Sequence, residues 1–248
     1  MFACERIPSD WSKGLILPLY KDGDERVPSN YRGITLLSVV GKLYSSVLTK
    51  RLSSWCEENN KISEEQAGFR PGRATTDHLF TLTELLLARK DAKQDTVCCF
   101  LDIKKAYDLT FRDGVWKRLL EVGVNGKLWR VIRNLYAVVE SRVMLGSTHT
   151  DWFPVELGLR QGDNLSPILY AIFIDGLIRT VKDAPLGVKC GSQKTNILGF
   201  ADDLVLLRTQ KWKCRNYSIL FSCTAVNGGS CLWWRNVKSL FSQPSVLT

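Results

Sequence analysis

The stretch NILGFADDLVLL, residues 196–207, has two short apolar runs on either side of an acidic pair. Apolar runs of this length around a two-residue polar break are typical of a β-hairpin. The hairpin would carry Asp202 and Asp203 at its tip. An acidic pair can also be ordinary turn chemistry, so the hairpin alone does not establish a functional site.

A second acid lies near the end of another apolar run. Residues 96–103, TVCCFLDI, predict a buried β-strand interrupted by a single acid, Asp102. Neither helix capping nor surface solubility explains an acid at this position. Carboxylates from separate strands, when brought together, form a site for hard divalent cations such as Mg²⁺. We therefore expect Asp102 and the pair at 202–203 to meet in the folded chain.

The rest of the chain predicts an α+β fold. Residues 14–20 predict a strand followed by a polar turn, and residues 141–157 predict a hairpin. Apolar residues spaced three and four apart predict helices over 34–59, 75–89, about 112–139, and from Ser166 onward. This order of elements favours an antiparallel sheet with helices on one face.

The composition is that of a folded, basic protein. The 248 residues are 45% hydrophobic and 24% charged, enough to bury one large domain or two subdomains. The net charge of +9 favours a polyanionic partner such as nucleic acid, although a solvated basic surface would give the same charge.

Cysteine usage and the N-terminal sequence argue against several classes of protein. The eight cysteines include no Cys-x-x-Cys pair and there are only two histidines, which argues against a structural zinc or c-type haem site. The N-terminus lacks the order of a signal peptide, and no apolar run reaches about 18 residues. We expect an intracellular protein of the nucleus or cytoplasm, not secreted, with no membrane partner.

Five ordered segments resemble the reverse transcriptases of non-LTR, LINE-like retrotransposons. Three are similar to core motifs of that family: FLDIKKAYD (100–108), GLRQGDNLSP (158–167) and GFADDLVLL (199–207). Two are similar to its finger segments: GFRPGRATTDHL (68–79) and the stretch 18–52. Five segments in family order are far more specific than any one of them.

The resemblance implies the fingers and palm of a right-hand polymerase. Residues 1–95 would form the fingers, and residues 96–208 a palm whose antiparallel sheet packs on helices. Residues 209–248 do not match the helix, primer grip and thumb that the family would place there, so the expected fold lacks a thumb. A frameshift near residue 209 would explain this mismatch and would leave the tail poorly packed.

The resemblance also assigns the acids. Asp102 and Asp202 would bind both catalytic metals, with Asp203 the adjacent carboxylate of the same motif. The implied metal-binding positions are Asp102, Ile103 and Asp202, and the implied cofactor is Mg²⁺, with Mn²⁺ as a substitute.

The nucleotide-binding residues are implied in the same way. Tyr107 would lie under the incoming sugar and select deoxynucleotides, and Gln161 and Gly162 would approach the nascent base pair. Lys21 and Arg32 would contact the triphosphate, unless they are ordinary exposed cations of a polar turn.

Two arginines are candidates for nucleic-acid binding. Arg70 and Arg73 would suit phosphate contacts to the template strand, but both could equally pair with local acids. His78 and His149 lack ligand partners in the sequence, and we expect each to be a packed or a surface histidine.

The implied function is RNA-directed DNA polymerase activity, with RNA template, DNA primer and dNTP as partners, weak or absent in this chain alone. The first alternative is a non-catalytic remnant that binds nucleic acid through basic residues. A second, an RNA-dependent RNA polymerase palm, is disfavoured by Tyr107 and by the Phe-Ala-Asp-Asp setting of the acidic pair.

Overall fold

A computed structural model describes residues 2–103, 105–185 and 187–209, together with the backbone of 245–247. The chain forms two compact units, each made of two segments. The first unit is Met1–Trp55 with Tyr107–Leu169, and the second is Cys56–Ala106 with Tyr170–Thr248. These segments differ from the division at residue 95 expected for fingers and palm, which stays a prediction.

The described elements mix runs of strands with runs of helices, as in an α+β fold. In chain order they are a 3-10 helix (Ser9–Ser12), β1 (Lys13–Tyr20), a second 3-10 helix (Pro28–Asn30), β2 (Tyr31–Leu37), α1 (Val39–Glu58), α2 (Thr75–Asp91), β3 (Val97–Asp102), α3 (Arg112–Val122), α4 (Gly126–Asn134), β4 (Glu140–Leu145), β5 (Thr148–His149), β6 (Phe153–Pro154), α5 (Ser166–Asp183), β7 (Val188–Cys190), β8 (Gln193–Thr195), β9 (Ile197–Phe200), β10 (Asp203–Arg208) and β11 (Ser245–Leu247).

The sheet of the first unit is mixed rather than antiparallel. Its strand order is β2-β1-β4-β5, with β6 also paired to β4. Strands β1 and β2 are antiparallel, whereas β1 and β4 are parallel. A parallel pair needs a long crossover connection, and the chain between β1 and β4 is ample for one.

Two predicted helix boundaries in this unit were wrong. Ile34–Leu37 belongs to β2, where exposed and half-buried residues alternate with the period of a strand. The predicted helix over 112–139 is two helices, because Gly123 ends α3 in the left-handed conformation with φ 102°. Its N–H caps the helix by donating to the carbonyl of Leu120 at 3.0 Å.

The second unit contains the expected antiparallel sheet, with strand order β11-β3-β10-β9. A buried cluster of residues from α2 and four strands packs beside it: Leu85, Cys98, Val188, Leu198 and Leu207. The hairpin β7–β8 was not predicted. The expected frameshifted tail, residues 209–248, lies outside the described residues, apart from Thr209 and the backbone of β11.

None of the described helices has both the length and the hydropathy needed to cross a membrane.

Candidate active site

The predicted hairpin forms, but its two-residue turn lies one residue earlier than the acidic pair, so only Asp202 is a turn residue and Asp203 begins β10. Phe200 and Asp203 are register partners that close the hairpin of β9 and β10, which leaves Ala201 and Asp202 as the central turn residues. Of the two, only Ala201 has a positive φ, at 59°. A positive φ at the first position alone is the pattern of a type II′ turn, where glycine is usual. Alanine there holds a strained backbone.

The second acid meets this pair across the sheet. Strands β3 and β10 are antiparallel, and their register makes Asp102 the direct partner of Asp203. Directly opposite residues place their Cβ atoms on the same face, about 4.5–5.5 Å apart. Asp102 and Asp203 are exposed and Asp202 is half-buried, so solvent reaches this group of carboxylates.

Asp203 is influenced electrostatically by the other two carboxylates. The pKa of Asp203 is raised above its ordinary value, first because partial burial disfavours the charged form. The negative charges of Asp202 and Asp102 raise it further. A bound cation would relieve this repulsion.

The donor set suits a hard divalent cation. Mg²⁺ is commonly held by one or two carboxylates and completes its shell with water and substrate phosphates. The described residues contain no group of three or more His, Cys, Asp or Glu arranged to hold a metal ion. Because solvent reaches the three carboxylates, the site suits a metal ion that completes its shell with water and substrate phosphates. Ile103 is buried, with an apolar side chain, so only its main-chain carbonyl could contribute.

A segment that the sequence did not single out lies against the turn. Gln66 is fully buried, and its Oε1 accepts hydrogen bonds from the N–H of Gly68 at 2.9 Å and of Ala201 at 3.1 Å. Its Nε2 donates to the Ala201 carbonyl at 3.4 Å. Only the proximity of Gln66 to the finger-like motif GFRPGR could have drawn attention to it.

The same segment runs beside β9 as a short parallel bridge between Gln66 and Gly199. The Ala67 N–H donates to the Gly199 carbonyl at 2.9 Å, and the Gly199 N–H donates to the Glu65 carbonyl at 2.7 Å. His78 Nε2 lies 3.1 Å from the Glu65 carbonyl oxygen and 3.0 Å from the Gly199 carbonyl oxygen. This nitrogen must carry a proton to bond either acceptor. His78 is therefore a packed histidine, one of the two roles expected.

For Arg70 and Arg73, the structure supports pairing with local acids. Arg70 is buried and forms a two-bond ion pair with Glu57 at 2.7 and 2.8 Å. Its Nη1 donates to the carbonyls of Ser63 and Gln66 at 3.0 Å each. Arg73 is more exposed and pairs with Glu64. Contact with a template strand stays a prediction, and Arg73 is the more accessible of the two.

The first unit brings together three of the predicted nucleotide-binding residues. The Thr35 N–H donates to the Gln161 carbonyl at 3.2 Å, which fixes the loop beside β2. With its amide oriented to satisfy both neighbours, Gln161 donates to the Gly33 carbonyl and accepts from Arg32 Nη2 at 3.3 Å. Gly162 has φ 107°, and a Cβ there would lie 2.7 Å from the Thr35 carbonyl.

This loop borders a cavity of about 290 Å³. Polar groups and backbone from several elements line it, among them Gly33, Thr35, Asp108, Arg112 and Gln161. The Arg112 Nε donates to the Gly158 carbonyl at 2.8 Å, and burial lowers the pKa of its guanidinium. Arg112 therefore holds the backbone at Gly158, which also lines the cavity.

Tyr107 and Lys21 also belong to the first unit. The Tyr107 carbonyl accepts from the Leu159 N–H at 2.7 Å, so its backbone is tied to the loop that carries Gln161. The Lys21 N–H donates to the Asn30 carbonyl at 2.9 Å just past the end of β1. The side chain of Lys21 is exposed at the same end of the β1–β2 hairpin as Arg32. The three acids belong to the second unit.

The architecture is that of a polymerase. The apo telomerase from Candida tropicalis superposes with a TM-score of 0.64 at 11% identity, over 98% of this chain and 45% of that chain. A telomerase from Candida albicans, in complex with a TWJ fragment of telomeric RNA, gives 0.63 at 12% identity, over 100% of this chain and 44% of that chain. At these identities the likeness shows the fold alone.

The reverse transcriptase (RNA-dependent DNA polymerase) family model matches residues 20–225, and the chain belongs to this family. Curated relatives are named as products of non-LTR retrotransposons. The Pol polyprotein of the R2 element from Popillia japonica is 28% identical over 203 residues, 81% of this chain and 28% of the relative. A probable RNA-directed DNA polymerase from Drosophila melanogaster transposon BS is 27% identical over 202 residues, 81% of this chain and 22% of the relative.

These matches confirm the predicted family and fold class. The chain is an RNA-directed DNA polymerase by ancestry, and it spans 28% or less of the length of these two relatives. Reverse transcriptases in general use divalent metal ions.

Proposed function

We propose that this chain provides the catalytic centre of RNA-directed DNA synthesis, with an RNA template, a DNA primer and dNTPs as substrates. One observation carries the proposal: the β3–β10 register pairs Asp102 with Asp203 next to the turn residue Asp202. A site of paired, accessible carboxylates suits phosphoryl transfer, in which charge on phosphate oxygens must be neutralised.

Asp102 and Asp202 would hold the divalent ions, together with the main-chain carbonyl of Ile103. Bound Mg²⁺ or Mn²⁺ would supply a Lewis acid for the primer hydroxyl and the phosphate oxygens. Asp203 would add negative potential to the site without being required as a ligand. Its raised pKa supports a crowded carboxylate group that favours cation binding.

The reaction would be a nucleotidyl transfer. The primer 3′-oxygen forms a bond to the α-phosphorus of the dNTP, and the α–β phosphoanhydride bond breaks. Pyrophosphate leaves, and the hydroxyl proton is released to solvent. No oxidant or reductant takes part.

The first unit would bind the nucleotide. Arg32 and Lys21 offer cations for the triphosphate, and Gln161 links Arg32 to a rigid loop. Gly162 lets the backbone approach closely where a side chain would collide with Thr35. Tyr107 would lie under the sugar and disfavour a 2′-hydroxyl.

The net charge of +9 supports a second candidate function, binding of RNA or template-primer without catalysis. The two differ in their response to salt and to Mg²⁺. For either function we propose a nuclear or cytoplasmic location, where RNA templates and nucleotides occur.

Primer extension on poly(rA)·oligo(dT) with dTTP tests the proposal. We expect weak Mg²⁺-dependent extension by this chain and its loss in Asp202→Asn. Asp151→Asn, which changes an exposed acid in a loop of the first unit, is the matched control and should extend like the parent. Salt-sensitive binding without extension, unchanged by Asp202→Asn, would support the second candidate and refute the first.

A further inference from the structure

The buried amide of Gln66 has no role in the reaction proposed above, yet every polar atom of its side chain bonds at or beside the acidic turn. We infer that Gln66 is a positioning residue that holds Ala201 in its left-handed conformation and thereby fixes Asp202. The inference rests on the proposed role of Asp202 in metal binding. Gln66 itself acts through Ala201 and contacts neither metal nor substrate.

Ala201 needs such support. A non-glycine residue at positive φ is strained and persists only where its surroundings enforce it. Gln66 bonds both main-chain polar groups of Ala201, with Oε1 accepting from the N–H and Nε2 donating to the carbonyl. One side chain therefore sets the orientation of the peptide groups on both sides of Ala201, and the second of these groups leads directly into Asp202.

Close packing of the Gly68 backbone on Ala201 supports the turn in addition to the hydrogen bonds of Gln66. A Cβ at Gly68 would lie 2.0 Å from the Ala201 nitrogen and 2.7 Å from its Cα. The segment therefore packs backbone against backbone on the turn, with no room for a side chain. Gln66 Oε1 also accepts from the Gly68 N–H, so one oxygen ties Gly68 and Ala201 together.

The segment is anchored on the other side as well. Asp175 of α5 is fully buried, and its carboxylate accepts from the Ser63 N–H at 2.8 Å and from the Ser63 hydroxyl. Arg179 Nε donates to the same carboxylate at 2.5 Å, and Arg179 Nη2 donates to the Lys61 carbonyl at 2.9 Å. Gln66 therefore projects from a fixed support, and its contact with the turn can transmit rigidity.

The consequence is specific to the metal site. Residues that orient a metal ligand without touching the metal typically change metal affinity by about 10–100-fold when they are replaced. Gln66→Met removes both hydrogen-bonding functions at nearly constant volume. We expect it to loosen the turn and to weaken divalent-ion binding by about tenfold or more.

The matched control is Asn196→Leu. Asn196 is also a buried amide of the second unit, and its Nδ2 donates to the carbonyls of Val181, Lys182 and Ala184, at 2.9–3.0 Å. These contacts lie at the end of α5 and do not involve the turn. Both substitutions should lower the melting temperature, but only Gln66→Met should act on the acidic residues.

Two measurements on the full chain separate the inference from the proposed function. Amide hydrogen exchange of residues 199–203 reports on the turn, and the EPR signal of free Mn²⁺ during titration reports on the metal site. Asp202→Asn identifies the Mn²⁺ bound by the acids. We expect Gln66→Met to accelerate exchange in 199–203 by about tenfold and to weaken the binding that Asp202→Asn abolishes. Asn196→Leu should change neither.

Unchanged exchange in Gln66→Met, or equal acceleration in Asn196→Leu, would overturn the inference. Faster exchange with unchanged Mn²⁺ affinity would also overturn it, because the turn would then not control the acids. If the parent binds no Mn²⁺ that Asp202→Asn removes, the proposed metal site fails. The exchange data then decide by themselves whether Gln66 holds the turn.

Discussion

Asp203 at the start of β10 lies directly opposite Asp102 at the end of β3. Like charges at directly opposed positions destabilise a sheet. The chain thus accepts an electrostatic cost at the proposed catalytic centre, as functional sites commonly do.

Neutralising one partner should stabilise the metal-free chain. We expect Asp203→Asn to raise the free energy of unfolding by about 0.5 kcal/mol without divalent ions, measured by urea denaturation near pH 7. The folded-state pKa of Asp203 is raised, so its contribution to stability is present at low pH and is lost as pH rises from 3.8 through the raised value. The variant should lack this part of the pH dependence. A lower stability near pH 7 would contradict the assignment.

Arg70 should be structural rather than nucleic-acid binding. Arg70→Met leaves the Glu57 carboxylate without its partner, and we expect a loss of about 3–5 kcal/mol of unfolding free energy in chemical denaturation. The pKa of Glu57 is lowered chiefly by its hydrogen bond with Arg70, so this stabilisation is present above pH 4.5 and is lost as pH falls through the lowered value.

Arg73 provides the comparison for Arg70. Arg73→Met breaks a more exposed pair with Glu64 and should cost less than about 1 kcal/mol. If Arg73 contacts the template, this variant should weaken RNA binding and reduce its salt dependence. Equal stability losses in the two variants would contradict the structural role of Arg70.

Gly68 should not tolerate a side chain, because backbone atoms of Ala201 occupy the space that a Cβ would need. Gly68→Ala places a methyl group 2.0 Å from the Ala201 nitrogen, and we expect a loss of about 1–3 kcal/mol together with weaker Mn²⁺ binding. Gly72→Ala is the control, because a Cβ there meets nothing within 4 Å although φ is +71°. It should lose some stability but keep its Mn²⁺ affinity. Reduced Mn²⁺ affinity in both variants would show that the effect is general.

The loop at Gly162 should control nucleotide affinity. Gly162→Ala would force the loop away from Thr35, and we expect the KM for dTTP to rise about tenfold, equivalent to about 1.4 kcal/mol of binding. Gly146→Ala shares the positive φ but meets nothing within 4 Å, and its KM should match that of the parent. Steady-state primer extension measures both values. An unchanged KM in Gly162→Ala would remove the loop from the nucleotide site.

Much of this protein followed from local sequence patterns. Strands β1, β3, β9 and β10 and helices α2 and α5 were predicted close to their observed positions, because each has a clear apolar period and a defined boundary. The predicted helix from Ile34 failed because apolar residues continue across the junction of β2 and α1.

The sequence by itself determined the family, the strands that carry the acids, and the hairpin that presents Asp202. These depend on residues close together in the chain and on five motifs in family order. The tertiary structure alone decided that Asp203 is the partner of Asp102, that Arg70 is occupied by Glu57, and that Gln66 bonds Ala201. The Asp102–Asp203 and Gln66–Ala201 contacts join residues about 100 or more positions apart. Strand register and buried hydrogen bonds at such separations depend on how whole elements pack, which local periodicity does not encode.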